Sequence, residues 1–261
     1  MRKLSVISYR LLVLLGIILL NFSSEKCLAN DAESAYQKAN NLYQKNSFDS
    51  AAKIYENIIS EDYFSTEVYF NLGNCYYKTN KTAKAILNYE RALKLKPNDE
   101  DILFNLKIAQ LKMVDKIETV PEIFYVRWTK NLASVFSCNG WGKAITLCVW
   151  LMFLFAAVYA VSQNPTLKKA SLLLTFTFLL FTSIAWFLAK QNFESTYINK
   201  SAIIMSESVY VKSSPGENNT DLFLLHEGTK ALILDEFESW QKIKIANGSL
   251  GWVKKSDVEE I

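Results

Sequence analysis

The sequence predicts a multidomain membrane protein made of an all-α repeat solenoid, a two-helix transmembrane hairpin and a small all-β barrel. Three observations support this prediction. The first soluble part has a 34-residue period, two later segments run for about 18 to 20 residues without a charge, and the C-terminal part consists of short β-rich runs. A hydrophobic fraction of 50% and a charged fraction of 21% exclude a disordered scaffold.

The N-terminal segment predicts a secretory signal peptide over residues 1–29. The apolar run Leu11 to Leu20 follows the basic residues Arg2, Lys3 and Arg10, which is the usual order in such peptides. Ala29 offers a small residue for cleavage. The alternative is an uncleaved N-terminal anchor, and both interpretations export the segment that follows.

A repeat occupies residues 30–120. Gly73 and Tyr89 stand 34 residues after Ala39 and Tyr55, and a period of this length is typical of a helix-turn-helix solenoid. The small residues Ala39 and Gly73 let the two helices of a unit approach each other. The predicted units are about 32–65 and 66–99, followed by a capping helix at 100–117.

The unit that begins at Thr66 resembles the tetratricopeptide repeat. The residues that match its spacing are Tyr69, Leu72, Gly73, Tyr76, Ala85, Tyr89, Ala92 and Pro97. The resemblance implies that the first helix of each unit lines a concave groove that binds protein partners. Transferred to this sequence, the partner-binding residues are Tyr36, Asn40, Tyr43, Phe70, Asn71, Asn74, Tyr77 and Asn105.

The residue types in this groove suit peptide recognition. Asparagine donates to and accepts from a peptide backbone, and aromatic rings add contact area with little loss of rotamer freedom. The alternative is that the tyrosines are packing residues and the asparagines form a solvated face.

The two uncharged runs, Ala144 to Val161 and Ala170 to Ala189, predict transmembrane helices at 142–162 and 170–190. Each run is long enough to cross a hydrocarbon core about 30 Å thick. The short loop at 163–169 makes the helices antiparallel, so both soluble parts lie on one side. With an exported N-terminus that side is the periplasm, and Lys168 and Lys169 lie in the cytoplasm. Basic residues also flank the outer ends, so this topology rests mainly on the signal peptide.

Residues 121–141 alternate apolar and basic side chains in a partly amphipathic pattern. This pattern predicts an interfacial linker that lies on the membrane surface. The alternative is a helix packed against the transmembrane helices or the repeats.

Residues 200–261 predict about five short strands in a small barrel, with Asn247-Gly248 as a hairpin signal. The order SVYVKSSP, HEGTKALIL, WQKIKI and ANGSLGWV resembles bacterial SH3 domains. The resemblance implies binding of cell-wall peptides or protein partners. The candidate ligand-facing residues are Tyr210, Trp240 and Trp252. The alternative for the tryptophans is a place in the barrel core.

Catalytic chemistry lacks the necessary residues. His226 is the only histidine, and no cysteine thiol would reach it: Cys75 falls on a repeat helix, Cys138 at the membrane boundary and Cys148 inside the first transmembrane span. No glycine-rich phosphate loop is present. We therefore predict no enzyme activity, no catalytic residue, no cofactor and no metal site. A net charge of only +3 gives no basic surface for nucleic acid.

The order of signal peptide, repeats, hairpin and SH3-like domain resembles the BatE-like proteins of the Bacteroides aerotolerance (Bat) system. The resemblance implies an inner-membrane protein that works with von Willebrand A-domain membrane proteins and a MoxR-type ATPase in oxygen or stress tolerance. The prediction is thus a non-enzymatic inner-membrane adaptor with periplasm-facing protein-binding modules. The alternative is a cell-wall sensor or anchor whose SH3 domain binds peptidoglycan.

Overall fold

The computed structural model describes residues 29–118, 120, 123–194, 198 and 200–261. The predicted signal peptide therefore lies outside the described residues, apart from Ala29 at the start of the first helix. The chain divides after Phe64 into two compact units.

The first unit contains helix α1, Ala29–Gln44, and helix α2, Phe48–Ser60. Ala39 of α1 and Ala51 of α2 are fully buried, which allows the two helices to pack closely. Tyr55 of α2 is also fully buried, and its hydroxyl donates to Oδ1 of Asn40 on α1 over 2.6 Å. A buried hydroxyl needs such a partner. The Tyr55 ring therefore fills the space between α1 and α2, and its hydrogen bond to Asn40 links the two helices.

Three further repeat helices open the second unit: α3, Thr66–Lys78; α4, Thr82–Leu95; and α5, Glu100–Gln110. Ser65 caps α3 by accepting from the N–H of Val68, and Asp99 caps α5 by accepting from the N–H groups of Asp101 and Ile102. These caps satisfy amides that have no partner inside the helix. Residues 66–99 thus form a helical pair, and α5 follows it; this helix ends at Gln110, whereas the predicted capping helix extends to 117.

The contact between α3 and α4 depends on Gly73. A Cβ atom at this position would lie 2.6 Å from Cε1 of Tyr89, closer than atoms of a packed core approach. Tyr89 is 1% exposed, and its hydroxyl donates to Oδ1 of Asn74 over 2.8 Å. The Tyr89–Asn74 bond lies one period after the Tyr55–Asn40 bond, so the 34-residue repeat includes a hydrogen bond as well as small residues.

The first helix of each pair is followed by an asparagine in the left-handed region. Asn46 after α1 has φ of 58° and Asn80 after α3 has φ of 60°. In the second pair the N–H of Lys81 then donates to the carbonyl of Tyr76 over 2.9 Å. Asparagine tolerates this conformation better than most residues and is suited to ending a helix. Our sequence analysis did not single out these asparagines, although they also recur at the repeat period.

Helix α6, Phe124–Ala133, precedes the two long apolar helices α7, Cys138–Val161, and α8, Pro165–Phe193. Both long helices have the length and composition needed to cross a membrane. The connection between the two helices is confined to residues 162–164, within and before the predicted loop at 163–169. Oδ1 of Asn164 accepts from the N–H of Thr166 over 2.9 Å, and Pro165 suits the first helical position, so α8 begins earlier.

Seven strands form one antiparallel sheet. They are β1, Ser201–Ile204; β2, Ser208–Lys212; β3, Asp221–His226; β4, Lys230–Phe237; β5, Trp240–Ile245; β6, Leu250–Lys254; and β7, Val258–Glu260. The order across the sheet is β3-β2-β6-β5-β4-β1-β7. The predicted count of about five strands was too low, since β6 and β7 were not counted separately.

This β-domain has one core although its strands span a wide sheet. Ile204 of β1, Leu225 of β3 and Ile243 of β5 belong to the same buried cluster. Strands β1 and β3 lie near opposite edges of the sheet, so the sheet must curl to bring these side chains together. The N–H of Gly228, in the β3–β4 turn, donates to the carbonyl of Ile204 over 2.8 Å and holds that curl.

We expect Gly73→Ala to lower the stability of the repeats by about 1–3 kcal/mol, because the added methyl displaces the buried Tyr89 ring. The measurement is the thermal midpoint of the helical circular-dichroism signal of the full chain in detergent. Gly142→Ala is the matched control, since a Cβ there meets nothing within 4 Å. Equal midpoints for both variants would contradict the packing role assigned to Gly73.

Candidate functional site

The second unit places five of the predicted partner-binding residues on adjacent helices. Phe70, Asn71, Asn74 and Tyr77 follow one face of α3, and all four are half-buried. Asn105 extends from α5, and its Nδ2 donates to Oδ1 of Asn74 over 3.3 Å. The structure thus brings the α3 and α5 residues together in one polar and aromatic surface, which we call the α3–α5 face.

Asn74 occupies the centre of the α3–α5 face, where its oxygen and its nitrogen have different surroundings. Its Oδ1 accepts from the Tyr89 hydroxyl at 2.8 Å and from Asn105, so this oxygen is committed to the fold. Its amide nitrogen has no hydrogen-bond partner within the described part of the chain, which leaves two N–H groups for a ligand. Asn74 therefore combines a structural acceptor with a donor suited to a peptide carbonyl.

One end of this face carries a cation. Nζ of Lys112 lies 4.1 Å from the ring centre of Tyr77 and 3.2 Å from Oδ1 of Asn80, to which it donates. A lysine over an aromatic face is held by the negative ring quadrupole. The positive charge and the neighbouring amides together favour an acceptor-rich segment, such as an extended peptide with an acidic side chain.

In the first unit, Tyr36, Asn40 and Tyr43 lie along α1 and are half-buried. Asn40 accepts from Tyr55, and the Tyr36 ring packs 6.0 Å from the Tyr55 ring, centre to centre. Tyr43 packs edge-on against Phe48 at 5.1 Å. These three residues thus have a packing role inside their own unit, and partner binding by them remains a prediction.

The predicted ligand-facing residues of the β-domain differ in their access to solvent. Tyr210 on β2 is 57% exposed and lies opposite Leu224 of β3, itself 38% exposed. Trp240 is only 8% exposed, with Nζ of Lys254 6.0 Å from its ring centre, and Trp252 is half-buried. Of the three, Tyr210 therefore presents the most accessible ring.

A polar cluster that no sequence pattern indicated joins the segment after α5 to the β-domain. Oδ2 of Asp115, in the segment after α5, accepts from the His226 N–H and from the Thr229 hydroxyl, both over 2.7 Å. Oδ1 of Asp115 lies 2.7 Å from Nδ1 of His226. We call these three residues the Asp115 cluster. Burial disfavours the ionised carboxyl, but the hydrogen bonds from His226 and Thr229 outweigh it and keep the pKa of Asp115 below its ordinary value.

Three more contacts join helix α4 to the β-domain. Glu90 pairs with Lys230 at 2.7 Å, Arg91 with Glu259 at 3.1 Å, and Nζ of Lys94 donates to the carbonyl of Ile261 over 2.7 Å. Burial, reinforced by the nearby charges of Lys230 and Arg91, lowers the pKa of Lys94.

These contacts change the domain arrangement expected from sequence. The sequence predicts the repeats and the SH3-like domain as separate modules, whereas the repeat at 66–99 and the β-domain lie in the same unit and are joined through α4 and the Asp115 cluster. Glu90, Arg91 and Lys94 lie on one face of α4. Charged residues on a helix face are usually solvated, so the sequence did not indicate that these three contact another part of the chain.

His226, the only histidine, is part of this structural contact. Its Nδ1 lies against Asp115, while Cys75 is fully buried on α3 and Sγ of Cys138 donates to Oδ1 of Asn192. Within the described residues, no group of three or more His, Cys, Asp or Glu side chains is arranged to hold a metal ion.

Comparison with known proteins identifies one part of the chain. The tetratricopeptide repeat family matches residues 66–99, the second predicted unit. Residues 66–99 form a tetratricopeptide repeat. Repeats of this kind form protein-binding surfaces, and this repeat carries most of the α3–α5 face. A comparison with curated proteins found no match.

Solved structures offer only distant likenesses. PcrH from Pseudomonas aeruginosa is 16% identical over 60% of this chain and 94% of its own, with a TM-score of 0.31. The type III secretion translocator chaperone SycD from Yersinia enterocolitica is 17% identical over 62% of this chain and 95% of its own, with a TM-score of 0.31. Likeness at this level assigns neither a function nor a partner to this chain.

We expect Asp115→Asn to weaken the attachment of the β-domain by about 1–3 kcal/mol, because an amide replaces an acceptor that faces three donors. The measurement is hydrogen exchange of the amides from His226 to Thr229 in the full chain. Asp101→Asn removes an exposed carboxylate and is the control. If exchange is equally fast in both variants, the Asp115 cluster does not hold the β-domain.

The same contact has a predictable pH dependence. Because the folded pKa of Asp115 is below the unfolded value of about 3.9, its stabilisation is fully present above that pH. It is lost as the pH falls through the lower, folded pKa. Protection of the amides from His226 to Thr229 should therefore fall in this acidic range in the wild type. Asp115→Asn should lack that step.

Proposed function

We propose that this protein is a non-enzymatic adaptor in the bacterial inner membrane, with the α3–α5 face as its partner-binding surface. The observation that carries the proposal is the donor pair on Asn74, held in place because its oxygen is bound to Tyr89. A preorganised donor beside aromatic rings binds a peptide with little ordering of the site. The match of residues 66–99 to a protein-binding repeat supports the same conclusion.

Membrane insertion is proposed from α7 and α8. Their length and mean hydropathy suit two spans, and their apolar side chains are mostly exposed. Exposed leucine and phenylalanine along two paired helices require an apolar solvent, which a bilayer supplies. The short connection at 162–164 leaves the repeats and the β-domain on the same side of that bilayer. We propose the periplasmic side, and this orientation rests on the predicted signal peptide.

Partners of the Bat type follow from the order of the segments. We propose that the adaptor binds other Bat-type membrane proteins, including von Willebrand A-domain proteins and the associated MoxR-type ATPase, in a complex for oxygen or stress tolerance. Tethering the α3–α5 face to the membrane raises its effective concentration for partners in the same membrane.

A second candidate is a cell-wall sensor or anchor in which the SH3-like β-domain binds peptidoglycan. Its supporting observation is the exposed ring of Tyr210, next to Leu224 on the neighbouring strand. This patch is small and apolar, and Trp240 adds little accessible surface to it. The α3–α5 face offers more hydrogen-bonding groups, so we place the adaptor role first.

We expect Asn74→Asp to weaken partner binding by about 1 kcal/mol, or roughly fivefold, because it removes the free donor but keeps an acceptor for Tyr89. The measurement is the yield of a Bat-type von Willebrand A-domain protein co-purified with the full chain from solubilised membranes. Asn57→Asp makes the same charge change at an exposed position on α2 and is the control. Undiminished recovery with Asn74→Asp would argue against the α3–α5 face.

Alkaline-phosphatase fusions test the orientation. A fusion after Ile261 should be active, since the enzyme folds only after export, and a fusion at Gln163 in the short connection should be inactive. Equal expression of both fusions, verified by immunoblot, is the control. The reverse pattern of activity would place the α3–α5 face in the cytoplasm and exclude periplasmic partners.

A further inference from the structure

We propose that α6 is a membrane-surface helix whose aromatic edge inserts between phospholipids and whose basic side favours anionic headgroups. This proposal rests on the proposed membrane insertion of α7 and α8. It commits to the lipid bilayer as the partner that covers an exposed apolar surface, which we call the aromatic edge: Phe124, Tyr125 and Trp128.

A buried polar anchor fixes α6 at one end of the helical hairpin. Asn192, near the end of α8, is 5% exposed and donates to the carbonyls of Ala133 at 2.7 Å and Phe136 at 3.0 Å. The indole N–H of Trp141 also donates to the Ala133 carbonyl over 2.7 Å. These bonds tie the end of α6 to both long helices, at the end away from the 162–164 connection.

The anchored side of α6 leaves its aromatic side uncovered. Thr129 accepts from Nε2 of Gln191 on α8, and Ala133 packs in the cluster around Trp141. At about 100° per residue, Phe124 and Trp128 lie well away from these residues around the helix, and Tyr125 lies between the two sides. Phe124 is 75% exposed, Tyr125 62% and Trp128 58%. Three adjacent large rings in water form a patch that soluble surfaces rarely leave uncovered.

Charge indicates which surface covers the patch. Arg127 and Lys130 are exposed on the third side of α6, and Lys143 and Lys190 lie at the same end of the long helices. Between residues 123 and 194 the sequence contains one acidic residue, Glu194, which lies 3.8 Å from Nζ of Lys190. Rings beside a cluster of basic residues match the acyl and headgroup layers of an anionic bilayer.

The continuity with α7 and α8 supports the same assignment. Trp186, at the same end of α8, is 66% exposed. Tryptophan and tyrosine prefer the boundary between hydrocarbon and water, and the aromatic edge lies on a helix bonded to the last turn of α8. If α8 spans the membrane, its end and α6 therefore meet the same boundary.

The test uses the full chain in nanodiscs of phosphatidylcholine and phosphatidylglycerol, with plain or brominated acyl chains. Bromine quenches an indole that it contacts, so a membrane-inserted tryptophan emits mainly in plain lipid. We compare the emission lost on Trp128→Phe, Trp186→Phe and Trp252→Phe. Trp128→Phe should lower the tryptophan emission clearly in plain nanodiscs. In brominated nanodiscs it should lower the emission only slightly, because bromine already quenches Trp128. Trp252→Phe, in the β-domain, should remove the same emission in both.

The variants separate the two hypotheses. If Trp186 is quenched by bromine and Trp128 is not, the lipid proposal for α6 is overturned and membrane insertion stands. If neither is quenched, the proposed spanning of α8 fails as well. A Trp128 that escapes bromine but is shielded from acrylamide would assign the aromatic edge to a protein contact, which also overturns the proposal.

The headgroup preference has its own arm. Quenching of Trp128 should fall when phosphatidylglycerol is replaced by phosphatidylcholine, and also when Arg127→Gln and Lys130→Gln are combined. The Lys168→Gln/Lys169→Gln double variant, at the other end of the hairpin, should not change it. If Trp128 quenching is the same in all these conditions, the anionic preference is wrong.

Discussion

The arrangement of the second unit depends on one carboxylate. Asp115 accepts two hydrogen bonds at 2.7 Å from the β3–β4 region and meets His226 at the same distance. An ionised oxygen pair in a largely buried position is stable only when several donors face it, so the segment after α5 and the β-domain must keep their relative positions. The ion pairs on α4 lie in the same interface and add polar contacts around it. The repeat at 66–99 and the β-domain are consequently one structural body rather than two linked modules.

In the tetratricopeptide repeat, the side chains that stabilise the fold also belong to the proposed binding surface. Tyr89 fills the space that Gly73 leaves, and its hydroxyl fixes the amide of Asn74. A binding group fixed in this way loses little freedom when a ligand arrives, so more of the interaction energy appears as affinity. The packing role of Asn74 is therefore compatible with the proposed binding role.

The sequence predicted those features that have a period or a composition. The 34-residue repeat, the two apolar helices and the β-rich end all follow from local patterns, and the structure contains each of them. It did not predict the contact between Asp115 and His226, because residues far apart in the chain carry no shared pattern. Nor did it predict the start of α8 at Pro165, because Lys168 and Lys169 end the uncharged run four residues or more after the cap at Asn164. The exposure of Tyr210 and the burial of Trp240 depend on how the sheet curls, which strand periodicity alone does not specify.

The docking of the β-domain on α4 also has a mechanical consequence. The chain leaves this body towards α6 and returns to it at β1, so two stretches of chain connect the body to the hairpin. In the proposed membrane-inserted state, two connections restrict rotation of the body about the membrane normal more than a single flexible stalk would. A partner that diffuses laterally in the same leaflet would then meet the α3–α5 face in a narrow range of directions. Productive collisions would depend mainly on the orientation of the partner within the membrane plane. They would depend less on how far the partner extends above the membrane.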